Sequence, residues 1–100
     1  MLVHTVLFWL DKKLRDDQIT EFRLGLETLK QIKSAETVHI GTPANTPPRP
    51  RVILSTYDFC LTVILKDIQA HDAYQVDPIH KQFVETYSSY WKRVRVYDAD

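Results

Sequence analysis

Residues 74–83 read YQVDPIHKQF and place a tyrosine, an aspartate, a proline and a histidine within seven positions. An imidazole takes or gives a proton near neutral pH, and a phenol can hold a developing oxyanion. Tyr74 and His80 are therefore the residue types that proton transfer beside a carbonyl needs. The same letters also start a helix: Asp77 suits an N-cap and Pro78 the first helical position, which puts His80 in the first turn. A hydrogen-bonded core histidine and ordinary capping account for the segment equally well, so the motif allows catalysis without requiring it.

The helix beginning at Pro78 decides where His80 points. At about 100° per residue, Ile79, Phe83, Val84, Tyr87, Tyr90 and Trp91 fill one arc, and Lys81, Gln82, Glu85, Ser88, Ser89 and Lys92 the opposite one. His80 falls in the apolar arc, toward the interior. Burial and the positive end of the helix both disfavour an imidazolium, so the ring is expected neutral and able to accept a proton at pH 7. The cap carboxylate of Asp77 pulls the other way only if its charge faces the ring.

The elements that must position these groups are legible as periodicity. Residues 2–10 (LVHTVLFWL) are apolar on both faces, as in a central strand, with Leu2, His4, Val6, Phe8 and Leu10 on one side. Residues 16–33 predict a helix with the stripe Ile19, Phe22, Leu26, Leu29 and Ile32, weakened by Gly25. Residues 36–41 predict a short strand, with His39 opposite Val38 and Ile40. Four of the five prolines lie in TPANTPPRPR, which excludes a central strand or a helix and predicts an extended loop.

Residues 55–65 alternate, with Tyr57, Phe59, Leu61, Val63 and Leu65 on one face. Asp67 caps a short helix over 68–75, a second helix runs from Pro78 to about Tyr90, and a strand closes the chain over 92–98 with Val94 and Val96 inward. The order βαββαβ is the ferredoxin-like pattern, an α+β fold with both helical layers on one face of a four-stranded antiparallel sheet and the first and third strands central. His4 is then on the helix-covered face, and a pocket there would be lined by His4, Phe8, Phe59, Tyr74, His80 and Phe83.

Composition bounds the remaining classes. One hundred residues make a single domain, 1–100, and 13 basic residues against 13 acidic ones leave no global charge to steer it onto nucleic acid or an anionic membrane. The single cysteine, Cys60, excludes an intrachain disulfide and reads as a packing residue. The apolar start is too short to span a bilayer and has no signal-peptide layout, so a cytoplasmic protein is expected. The four histidines His4, His39, His71 and His80 form no H-x-H or H-x-x-x-H pair, so no metal is expected, and nothing cradles a phosphate or calls for a cofactor. KRVRVY at 92–97 is locally basic, with Asp58 available to offset Arg93 and Arg95.

Three segments, VHTVLFWL, YDFCLTVILKD and AYQVDPIHKQFVETYSSYW, give the chain a resemblance to the stress-responsive A/B barrel (Dabb) family over nearly its whole length. The resemblance implies a homodimer that closes two sheets into an α+β barrel. The face away from the helices, with Val3, Leu7, Trp9 and Ile64, is apolar enough to need such a partner. Members of known activity include a plant polyketide cyclase that performs a cofactor-free aldol cyclisation between sheet and helices. Its catalytic tyrosine and histidine match Tyr74 and His80, and its first-strand histidine matches His4. The chain departs from it at Asp77 and Phe59, where the cyclase has histidines, and in the proline run. The resemblance and the residues together lead to the expectation of a small-molecule site for an apolar carbonyl or phenolic ligand. A non-catalytic, stress-related binding or structural protein and a cofactor-free monooxygenase of the same fold stand as alternatives.

Overall fold

A computed structural model describes all 100 residues. In chain order it contains β1 (Leu2–Leu10), α1 (Asp16–Thr28), β2 (Ala35–Gly41), β3 (Phe59–Leu65), α2 (Ile68–Val76), α3 (Pro78–Tyr87) and β4 (Trp91–Ala99), with a 3₁₀ turn at Leu29–Gln31. The four strands form one antiparallel sheet in the order β2-β3-β1-β4, so the two apolar strands are central, as their sequences predict. Strict alternation drives this arrangement. Leu2, His4, Val6, Phe8 and Leu10 are buried under the helices while Val3, Thr5, Leu7 and Trp9 are half-buried on the other face.

The helix stripe of α1 and its 3₁₀ extension closes the core. Phe22, Leu26 and Leu29 are fully buried, and the Phe22 ring has the rings of Phe8, Phe59, Phe83, Tyr87, Tyr90 and Trp91 centred 5.3 to 6.3 Å away. Gly25 has a packing reason rather than a conformational one. A Cβ there would overlap the Tyr87 ring, so its absence lets α3 approach α1.

Three boundaries differ from the sequence reading by more than one residue. The helix expected over 16–33 keeps α-geometry only to Thr28 and ends in the tighter 3₁₀ turn. The strand expected from residue 55 begins at Phe59. Beside it the Asp58 carboxylate takes the Leu10 backbone N–H at 2.7 Å, a donor that a strand carbonyl would otherwise bind. The last helix stops at Tyr87, because Tyr90 must turn back to give its carbonyl to the Asp11 N–H at 2.8 Å as β4 begins.

Candidate functional site

Asp77 is the corner on which the site is built. It ends α2 and begins α3, and its carboxylate accepts the Ile79 N–H at 2.8 Å. At the other end of α2, Asp67 caps that helix through the Ala70 N–H in the same way. With the two helices joined at one residue, Tyr74 on the last turn of α2 meets His80 on the first turn of α3, their ring centres 4.9 Å apart. Tyr74 also lies against His4, rising from β1, at 5.8 Å. The three groups singled out in the sequence are thus brought together, with Tyr74 in the middle.

His4 and His80 line a cavity of about 140 Å³ between the sheet and α3, with Val6, Phe8, Phe83 and Val96 among its walls. That is close to the ~150 Å³ of an apolar cavity that holds one benzene ring. Phe59 and Tyr74 do not line it. Phe59 faces the helices as expected, but it packs under α1 against Phe22 at 5.7 Å. Tyr74 is fully buried, and its hydroxyl has no hydrogen-bond partner in the protein. His80 is half-buried rather than enclosed, because Val84 and Val96 beside it are partly exposed and form an open rim.

The electrostatics reflect burial. Loss of water around His80 is the largest cause that lowers its pKa below the usual histidine value, and the neighbouring His4 adds to it. The Gln75 backbone and the Asp77 carboxylate oppose the shift without reversing it. The neutral ring expected from the sequence is therefore the favoured state, with burial rather than the helix end as the leading cause. Burial raises the Tyr74 phenol above the ordinary tyrosine range, which keeps it a proton donor at neutral pH.

Two residues at the site were not singled out in the sequence. Asp98 stands opposite His4 in the β1–β4 register, and its Oδ1 lies 2.5 Å from His4 Nδ1. His71, one turn before Tyr74 on α2, sets its ring 5.3 Å from that of His4. With Nδ1 held by Asp98, His4 has its other nitrogen, Nε2, left for a further partner.

The other residues considered from the sequence lie apart from this group. His39 is exposed and pairs with Thr62 on the sheet face away from the site. Cys60 is half-buried on that same face, opposite Leu7. Arg93 does not use Asp58 as its partner; its guanidinium lies over the Trp9 ring at 4.9 Å. No helix is long and apolar enough to cross a membrane.

The fold is that of small ferredoxin-like α+β proteins, and the chain itself matches the Stress responsive A/B Barrel Domain family, Dabb, over residues 2–100. It belongs to that family. Among solved structures it is similar to a dimeric ferredoxin-like protein of unknown function from Thermobifida fusca (TM-score 0.78, 18% identity, 98% of this chain and 88% of that one). It is likewise similar to a hydroxynitrile lyase from Passiflora edulis (TM-score 0.80, 13% identity, 98% and 90%). An antibiotic biosynthesis monooxygenase also shares the fold (TM-score 0.72, 13% identity, 100% and 97%). No curated protein matches the sequence.

Proposed function

We propose that the protein is a cofactor-free acid–base catalyst acting on a small carbonyl or phenolic compound. The observation that carries this reading is a single-ring-sized, mostly apolar cavity lined by two imidazoles, His4 and His80. An apolar wall holds the substrate and strengthens each polar contact made within it. His80, neutral by burial, takes the proton beside the carbonyl. His4, held by Asp98, orients the substrate, and the buried Tyr74 ring, packed against both imidazoles, positions His4 and His80 from behind the cavity wall. The resulting carbanion closes by aldol addition or returns the proton elsewhere as an isomerisation. The fold is shared with a hydroxynitrile lyase, so the scaffold itself is compatible with lyase chemistry.

The reading includes a homodimer formed through the sheet face away from the helices. Val3, Leu7, Trp9 and Ile64 are half-buried there, and Tyr97 is 61% exposed beside them. A twofold partner offering the same face would cover this surface.

The test is hydrogen–deuterium exchange next to the carbonyl, monitored by NMR on a panel of small ketones, aldehydes and acylphenols in D₂O. Exchange faster than in buffer for at least one compound is expected, with His80→Ala lowering it about 10²-fold or more. Binding of panel members without any exchange would favour the non-catalytic, stress-related alternative.

A further inference from the structure

We propose a binding site for one borderline first-row divalent cation, Zn²⁺ being the representative, formed by His4, His71 and Asp98. The ligand-type atoms of these three residues all lie within 4.8 Å of one another. They come from three separate elements, β1, α2 and β4, which is why no local histidine spacing announces them. Two imidazole nitrogens and a carboxylate are a donor set that suits such ions and leaves a coordination position open.

The arrangement of the carboxylate is the first reason. Each Asp98 oxygen faces a different imidazole: Oδ1 is 2.5 Å from His4 Nδ1, and Oδ2 is 3.8 Å from His71 Nε2. With bonds of about 2.0–2.2 Å, two ligands on a tetrahedral ion are separated by roughly 3.4 Å. The His71–Asp98 spacing is near that edge length, and the His4–Asp98 contact opens by about an ångström when an ion replaces the proton between them.

The second reason is the orientation of His71. Its Nδ1 lies 3.1 Å from Asp72 Oδ1. A carboxylate beside one ring nitrogen is the usual supporting contact of a metal-bound histidine, oriented so that the other nitrogen meets the ion. That other nitrogen, Nε2, is turned toward the Asp98 carboxylate. The third reason is charge and access. His4 is buried, but Asp98 and His71 open onto a surface depression of about 340 Å³ whose other walls include Asp72 and Asp100 and no lysine or arginine. Three carboxylates at one mouth attract a cation and supply an entry path.

The ion lies outside the 140 Å³ cavity, with His4 shared between the two. The site therefore stands whether or not the cavity is catalytic.

Untagged protein, freed of metal with a chelator, is titrated with zinc chloride in a calorimeter and monitored by histidine ring-proton NMR. One ion per chain at micromolar affinity is expected, with the His4 and His71 signals moving and the His39 signal unmoved. His71→Leu and Asp98→Asn should each weaken binding by more than about tenfold, and His39→Gln should leave it unchanged. Circular dichroism on the metal-free variants confirms that they fold; His71→Gln serves if His71→Leu does not. No heat and no shifts at millimolar zinc would overturn the site, as would undiminished binding in a folded His71 variant or a response confined to His39.

Discussion

Gly25 and Tyr87 are complementary in shape: where the glycine lacks a Cβ, the tyrosine ring fills the space that carbon would need. Tyr87 cannot easily swing away, since the rings of Phe22, Phe83 and Tyr90 hold it at 5.8, 5.4 and 5.1 Å. Gly25→Ala, normally helpful inside a helix, should therefore destabilise the fold by about 1–3 kcal/mol. Urea unfolding would show it. The same change made in a Tyr87→Ala background should cost clearly less, because the clash is gone.

The second prediction concerns pH. The folded state holds His80 with its pKa lowered, mainly by burial. Folding then favours the neutral ring, so this contribution to stability is present above the unfolded value of about 6.5 and is lost as pH falls through and below it. Urea midpoints measured from pH 8 down to pH 5 should fall more steeply for the natural chain than for His80→Gln. Parallel curves, or an NMR titration of His80 centred above the ordinary value, would contradict a neutral base.

A third prediction tests the corner between α2 and α3. Asp77→Ala removes the acceptor of the Ile79 N–H and should cost about 0.5–2 kcal/mol, whereas Asp77→Asn should keep most of the cap. If the corner also sets the Tyr74–His80 contact, the alanine variant should broaden or shift the His80 ring protons while the asparagine variant leaves them in place.

The fourth prediction is oligomeric. Light scattering at micromolar concentration should give twice the chain mass. Leu7→Lys, which adds a cation opposite Arg95 in the centre of the outer sheet face, should give the single mass with the circular dichroism spectrum kept. A single mass for the natural chain would remove the dimer from the proposed function.

Face assignments were readable because strand alternation is a local property: His4, Phe8 and Phe59 were all expected beneath the helices and all are there. Lateral position was not. Whether a residue beneath the helices meets α1 or α3 depends on strand order and on where each helix crosses the sheet, and that is why Phe59 belongs to the Phe22 cluster rather than to the cavity. Asp98 was missed for a related reason. Its place opposite His4 is set by the β1–β4 register, which no pattern within β4 encodes. His71 was readable as a helix residue, but its meeting with His4 depends on where α2 lies along the sheet, which no local pattern gives. Tyr74 and His80 were the easier pair, since a cap and a proline between them determine the turn.

The first and last strands of the sheet are hydrogen-bonded neighbours, and His4 and Asp98 touch across a separation of 94 residues. During synthesis β1 is made before β4 and stays without this partner until Trp91–Ala99 have left the ribosome. Throughout that interval one backbone edge of an apolar strand is open to other chains, the condition under which nascent sheets mispair. Loop closure over such a distance also makes this pairing a slow step of folding. A pause in synthesis ahead of β4, or a chaperone held on β1, would thus affect the yield of this protein more than it would affect one whose neighbouring strands are consecutive.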